Sequence, residues 1–513
     1  MKKNYLFLRK EMPIGKWIAT LGLCLFLVGM LSCQQGFDDN ERFSSDVSGV
    51  TLESPELNEN SFQALVNTNG EESVKVTWPV VKGAGGYLFN VAIVDDPSNP
   101  VEVVKDSIVD GCSIIFKKKE DTKYEISIKT LGNEKLNNKE AELANNYAYS
   151  TLVPAQTIAE GQELVEFVRA NLQNSTQEQG LELLGGKTYY LNEIIDFDLN
   201  TVTFRGNKAN RPTIVLGPNG GLMTQGGLKL KFINFDCTET SKIGILGLSD
   251  NPSATISTEA LGYKNDEANQ NGFVINDPII IQECNFKNIK NSLLYGNKKP
   301  WSLRDFRIVD CIVQLNNPGS SSVIRLDDGG NGLIKDLTVR NSTFLNLVEN
   351  KSGYFIRYSN ASNAQPKKIF GNAGNSSTFT IEHNTFSHVM SGKDFANNMP
   401  NTNTLTTKVQ YNIFYDVFRV YQILQSQAKR YTADNIIYGV PGRDPQSTDL
   451  DRTDTDGKPY TTLEDPDFEG PFEVALNLEE VNGGLKFTPR SALALDKKIG
   501  DPRWIETEDT EEE

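Results

Sequence analysis

Histidine is almost missing from the 513 residues: only His383 and His388 occur, which leaves little material for His-centred metal sites or triads. Cysteine is scarce as well. Cys24 and Cys33 lie near the start, and the remaining Cys112, Cys237, Cys284 and Cys311 contain no CxxC pair, so neither a disulfide scaffold nor a zinc ribbon is encoded. Positive charge is in deficit, with 51 Lys+Arg against 67 Asp+Glu and a formal charge of −16. A nucleic-acid partner, whose phosphates need a basic footprint, is excluded on that ground. The uncharged run Trp17–Ser32 falls short of the roughly 20 apolar residues of a spanning helix. What is present is abundant Asn, 41 Gly and recurrent Asn-Gly or Gly-Asn steps, the punctuation of many short strands.

Residues 1–32 read as a leader. Lys2, Lys3, Arg9, Lys10 and Lys16 precede the apolar run, which ends Met30-Leu31-Ser32-Cys33 as a basic n-region followed by an h-region. This boundary resembles the lipobox of bacterial lipoproteins, with Met30 in place of the usual Leu; the resemblance implies lipidation of Cys33 and an outer-membrane lipid anchor. The following Gln-Gln-Gly-Phe-Asp38-Asp39 stretch resembles the surface-export signal of Gram-negative bacteria with Sus-type glycan-uptake systems, whose partner proteins it would imply. Loss of the leader removes five basic side chains and one acidic one, taking −16 to −20. Residues 33–48 are expected to form a flexible acidic linker and 506–513 an acidic disordered tail.

Residues 49–154 alternate apolar and polar side chains in short runs, among them Val74–Trp78, Tyr87–Val94, Thr122–Lys129 and Tyr147–Val153. That pattern predicts a small β-sandwich. With Trp78, Tyr87 and Tyr124 in the places of a core tryptophan, a strand tyrosine and a tyrosine corner, the segment resembles a fibronectin type III module.

Residues 155–505 carry an internal repeat. A predicted helix over Glu160–Leu172, with Leu164, Phe167, Val168 and Leu172 on one face, precedes it as an end cap. The phrases beginning Ile281, Ile308, Val339, Ile381 and Val409 place Cys284, Cys311, Ser342, Asn384 and Asn412 in one column, extended by Asn435. An apolar residue follows two places later in the first five, hence on the same face of a strand. Intervals of 27, 31, 42, 28 and 23 residues match one coil of a stacked solenoid, one of them with an inserted loop. The column is expected to be a buried ladder of amides, hydroxyls and thiols. These residues resemble the pectate-lyase-like right-handed parallel β-helix superfamily, and Ile499–Trp504 resembles the closing phrase of β-helix lipoproteins of glycan-utilisation loci. The fold class is therefore all-β, a right-handed parallel β-helix preceded by a small β-sandwich.

The strands after each ladder strand carry the candidate chemistry. Aligned, they put Tyr295, Arg325, Arg357 and Tyr421 in one outward column, with Tyr358 beside Arg357, Lys298 nearby and Trp301 as a rim aromatic. Arg forks onto carboxylates and Tyr stacks on pyranose faces, so the expected ligand is an acidic, pectin-like polysaccharide. Asp327 with Asp328 is a candidate Ca²⁺ pair; no other cofactor is implied. The acidic loop Asp449–Gly457 lacks EF-hand spacing. Two readings follow, a surface glycan binder and a polysaccharide lyase using an Arg or Lys base. No catalytic residue is assigned.

Overall fold

The computed structural model describes residues 47–327, 332–350, 352–439, 455, 457 and 461–505. The leader, Cys33, the linker up to residue 46, Asp328, nearly all of the 449–457 loop and the 506–513 tail lie outside the described residues. The chain divides into two units, 1–152 and 153–513.

The first unit is a β-sandwich. Strands β1 (Phe62–Val66), β2 (Glu72–Thr77) and β5 (Ser113–Lys117) form one antiparallel sheet, and β4 (Val101–Val109), β3 (Gly86–Ile93), β6 (Lys123–Leu131) and β7 (Asn145–Ser150) form the other. Alternation explains the burial: Val74 and Val76 on β2, Tyr87, Phe89, Val91 and Ile93 on β3, and Tyr124, Ile126 and Ile128 on β6 all point inward. Trp78 stacks on Phe89 with centroids 5.5 Å apart and meets Tyr87 edge-on at 5.4 Å. The Tyr124 hydroxyl accepts the Lys119 N–H at 2.7 Å, pinning the chain ahead of β6. Burial raises the pKa of Tyr124.

The second unit is a right-handed parallel β-helix. Each full coil visits three parallel sheets in turn, as in Ile279–Gln282 on sheet A, Asn285–Ile289 on sheet B and Ser292–Tyr295 on sheet C. Parallel strands joined by crossovers take the right-handed sense. Among the described residues, sheets A, B and C hold eleven, ten and seven strands. Helix α1 (Leu164–Asn171) buries Leu164 and Val168 over the first strands of sheets B and C. It begins four residues later than its sequence pattern predicts, because Ala159–Glu163 are taken up by a turn. Coils pairing Thr188–Leu191 with Thr213–Leu216 and then Asn234–Asp236 precede the repeat legible in the sequence.

The ladder forms the corner between sheets A and B. A left-handed residue stands immediately before each rung: Glu283, Asp310, Asn341, His383, Tyr411 and Asp434 have φ between 45° and 55°, or 56° for Tyr411. That conformation costs a non-glycine residue roughly 1–2 kcal/mol, and the rungs offset it with hydrogen bonds. Ser342 N–H donates to Asn384 Oδ1 at 3.1 Å, and Asn384 N–H to Asn412 Oδ1 at 3.0 Å. The same pattern carries Asn412 N–H onto Asn435 Oδ1 at 3.1 Å. Asn384 Nδ2 donates to the carbonyls of Val339 and Glu382. The Cys311 thiol reaches the equivalent carbonyls of Ile281 and Val309 at 3.5 and 3.2 Å. A thiol is a weak donor, so Cys284 and Cys311 are rungs, and burial pushes the Cys284 thiol up to about 12. Inside the corner, Phe386 stacks between Phe344 and Phe414 at 5.2 and 5.1 Å, and Phe286 stacks on Phe235 at 4.8 Å.

The C-terminal stretch covers the outer face of sheet B. Phe468, Leu476, Leu485, Phe487 and Trp504 pack on Ile312, Leu345, Ile413 and Ile436. It is fastened by Asp501, 1% exposed, whose carboxylate accepts from Thr343 Oγ1 at 2.8 Å and pairs with Arg503 Nε at 2.9 Å. Burial raises Asp501 to about 6.

Candidate functional site

Register on sheet C decides which residues share a column. Tyr295 pairs with Arg325, Arg325 with Arg357, and Arg357 with Asn397. The alternate positions Ile324, Leu326, Ile356 and Tyr358 are buried in the core, so the Tyr295–Arg325–Arg357–Asn397 column faces outward. Adjacent strands in a sheet lie about 4.8 Å apart, which would set two guanidinium groups against each other. Asp327 resolves the conflict: its Oδ1 lies 2.6 Å from Arg325 Nε and its Oδ2 3.3 Å from Arg357 Nη1. The Asp327 side chain is 2% exposed, against 19% for Arg325 and 35% for Arg357. The two guanidinium groups thus share one buried carboxylate. Arg357 Nε is buried without a hydrogen-bond partner.

The strip continues beyond the predicted residues. Arg357 lies over the ring of half-buried Tyr354 at 5.5 Å, and exposed Lys393 over the same ring at 5.9 Å. Arg419 follows, bound to Asp394 at 2.8 Å and to the Tyr421 hydroxyl at 2.8 Å. Tyr354 and Lys393 come from turns that lead from sheet B into sheet C, and Arg419 from the next turn, which leads into a 3-10 turn over Val420–Ile423; sequence reading passed over all three.

Four predicted site residues need correction. Tyr358 is wholly buried, its hydroxyl accepting the Ile334 N–H at 3.2 Å. Neighbours on a strand face opposite ways, so it could not share the face of Arg357. Trp301 is 0% exposed and donates from Nε1 to the Ser249 carbonyl at 3.1 Å, because its strand is extended to pair with Phe273–Ile275 of an inserted loop. Tyr421 lies on a 3-10 turn, 7% exposed, and Asn397 takes its place in the column. Tyr295 does occupy the column, but at 4% exposure beneath the Arg325 guanidinium, 5.2 Å from its ring. Lys298 is exposed in the turn that follows. Of the candidate Ca²⁺ pair, Asp328 lies outside the described residues; the Asp327 carboxylate is engaged by two guanidinium groups, and among the described residues no three His, Cys, Asp or Glu side chains are grouped to hold a metal.

A second polar cluster, unanticipated because the sequence holds so few histidines, occupies the turn from sheet B to sheet C. His388 Nε2 lies 3.3 Å from Glu473 Oε1 and 3.8 Å from Asp416 Oδ2, while its Nδ1 lies 2.9 Å from Ser387 Oγ. Burial lowers the pKa of His388. Burial, with the charges of Glu349 and Glu473, raises Asp416 to about 7.

Two family models match the chain, each a domain of unknown function: DUF4992 over residues 1–187 and DUF4957 over residues 187–347. No curated protein matches. Among solved structures, the chain is similar to the catalytic domain of a GH87 alpha-1,3-glucanase in complex with nigerose, at 7% identity and a TM-score of 0.27, over 76% of this chain and 73% of that one. It is also similar to a mutant of the PL6 family alginate lyase AlyGC, at 11% identity and a TM-score of 0.17, over 69% of this chain and 57% of that one. A third is the pectate lyase PelI from Erwinia chrysanthemi in complex with tetragalacturonic acid, at 11% identity and a TM-score of 0.13, over 66% of this chain and 88% of that one.

Proposed function

We propose that this chain binds an acidic polysaccharide along sheet C as a lipid-anchored protein of the outer-membrane surface, within a glycan-uptake system. The observation that carries the reading is the in-register pair Arg325 and Arg357 sharing one buried carboxylate. A chain of charge −16 repels polyanions on average, so capture needs a local cationic strip. Arg325, Arg357, Lys393 and Arg419 supply it, and Tyr354 offers a ring among them for a pyranose face. Carboxylates repeated along a polymer would meet cations repeated along the coil axis.

The lyase alternative asks Arg325, Arg357 or Lys298 to give up its charge and serve as base; for the two guanidinium groups the shared Asp327 carboxylate works against that. Binding, which needs no such base, is the reading proposed. In this proposal Cys33 carries the lipid, and the sandwich, in the manner of a fibronectin type III module, is a spacer.

The test is retention on immobilised homogalacturonan against neutral dextran, with absorbance of unsaturated products followed in parallel. The parent should be retarded by the acidic polymer alone, less so as salt rises, and the Arg325→Ala/Arg357→Ala variant should elute with the void. Equal retention of parent and variant would move the site elsewhere, and unsaturated products would favour the lyase.

A further inference from the structure

Register carries the outward column of sheet C past Tyr295 in the other direction. Tyr295 pairs with Gly247, Gly247 with Met223 and Met223 with Asp196, so one line of the sheet has guanidinium groups towards one end and a carboxylate at the other. The alternate positions Ile195, Leu222 and Leu246 are buried, which fixes Asp196 on the outward side, where it is exposed. Exposed Asp198 adds a second charge: its N–H donates to Asp196 Oδ1 at 2.9 Å, and its Oδ1 accepts from Gln225 Nε2 at 2.7 Å. Among the described residues no Lys or Arg forms an ion pair with either carboxylate.

Spacing decides what a polymer along this line would meet. At about 4.8 Å between strands, the cations from Arg325 through Arg357 and Lys393 to Arg419 extend over three coil steps, about 14 Å, and Asp196 lies four steps from Arg325 on the other side, about 19 Å. Between them Tyr295 lies beneath the Arg325 guanidinium, Gly247 has no side chain, and Met223 is half-buried and apolar. Exposed charges act over about 8–10 Å, so an anionic unit above Met223 feels Asp196, one step away, and not Arg325, three steps away.

Resting on the reading of sheet C as an acidic-glycan site, we propose that it takes a short acidic run, the length of about three sugar units that about 14 Å admits, whose continuation towards Asp196 is uncharged. An unbroken polyuronate laid along the whole column meets attraction at Arg357 and repulsion at Asp196. A neutral sugar in the same place loses nothing and rests an apolar face on Met223. Asp196 and Asp198 are thus specificity-determining residues that act by excluding charge.

The experiment uses the full chain, isothermal titration at low salt and di-, tri-, hexa- and dodecagalacturonate. Affinity should climb steeply from dimer to trimer and then rise no faster than the number of units, because a longer chain adds only further placements of the same run. Asp196→Asn/Asp198→Asn should bind the dodecamer severalfold more tightly than the parent and the trimer equally. Its melting point should not change, since both side chains are exposed and Asn accepts the left-handed backbone at 198, φ 51°. Glu479→Gln/Glu480→Gln, at exposed positions of the C-terminal stretch over sheet B, removes the same charge elsewhere and should leave dodecamer affinity as in the parent. The length series on the parent decides independently of either variant. Steep gains continuing to the dodecamer, no gain from the Asp196/Asp198 variant, or an equal gain from the Glu479/Glu480 control would overturn the inference and leave the binding reading standing. Failure of every oligomer to bind the parent would overturn both.

Discussion

Asn384 and Asn412 are joined twice through one atom: Asn412 Oδ1 accepts the Asn384 backbone N–H at 3.0 Å and its side-chain Nδ2 also at 3.0 Å. The same oxygen therefore satisfies a buried backbone donor and fixes the orientation of the next rung, while Asn412 Nδ2 repeats the arrangement onto Asn435 at 2.9 Å. Replacing Asn412 by Ala orphans donors on one side and acceptors on the other. We expect a loss of about 2–4 kcal/mol, read by urea unfolding of the β-helix signal, with Asn412→Ala clearly less stable than an exposed control such as Lys408→Ala. Equal stability would show that water replaces the rung.

Phe386 extends the same logic to the core. Its ring is stacked within 12° of Phe344 and 4° of Phe414 and meets Phe355 and Phe395 edge-on. Nothing beside it can collapse into the space of a lost ring without disturbing two neighbouring coils. Phe386→Ala should cost about 3–5 kcal/mol, measured on the same transition.

How these elements could be read in advance, and where reading stopped, follows from the same physics. The coil intervals and the Cys284-to-Asn435 column were legible because each rung performs one task at one corner, which restricts residue type. The coils through Ile214 and Phe235 were less so, since Ile233, just ahead of the strand Asn234–Asp236, stands where the next coil carries Cys284. On sheet C, period two distinguishes faces but not which segment supplies the next strand. That is how Tyr421, on a 3-10 turn, displaced Asn397 in the expected column. Trp301 looked like a rim aromatic because its partner strand, Phe273–Ile275, comes from a loop inserted in the previous coil. The His388 cluster is assembled from residues 349, 388, 416 and 473, a span over which no local pattern exists.

The shared carboxylate of Asp327 gives a third expectation, which concerns stability as well as binding. Asp327→Asn removes the carboxylate that the two guanidinium groups share across one coil. Breaking a fully buried pair costs about 3–5 kcal/mol; because Arg357 is 35% exposed, a loss of about 1–3 kcal/mol is expected here. The freed cations should meanwhile retain homogalacturonan more strongly at low salt. Weaker retention in a folded Asp327→Asn protein would mean that Asp327 orients the guanidinium groups for the ligand and does not compete with it.

Asp416 supplies the last expectation, a pH dependence whose sign can be worked out. Its folded pKa, about 7, lies above the unfolded carboxylate value of about 3.9, so between these limits the folded state holds the extra proton. Stability from this group is therefore present below about pH 4, falls as pH rises towards 7, and is flat above it. His388 acts oppositely: its lowered pKa removes stability as pH drops through the imidazole range. The Asn variant isolates the first effect, because Asp416→Asn deletes the carboxylate and leaves the imidazole. Asp416→Asn should be more stable than the parent at pH 8 by about 1–2 kcal/mol, a figure discounted for the solvent that reaches part of the group. At pH 5 the gain should shrink towards zero, since the parent's carboxyl is then protonated. Melting curves of both proteins at the two pH values decide it, and a difference that stays constant with pH would show that Asp416 titrates like an ordinary surface carboxylate.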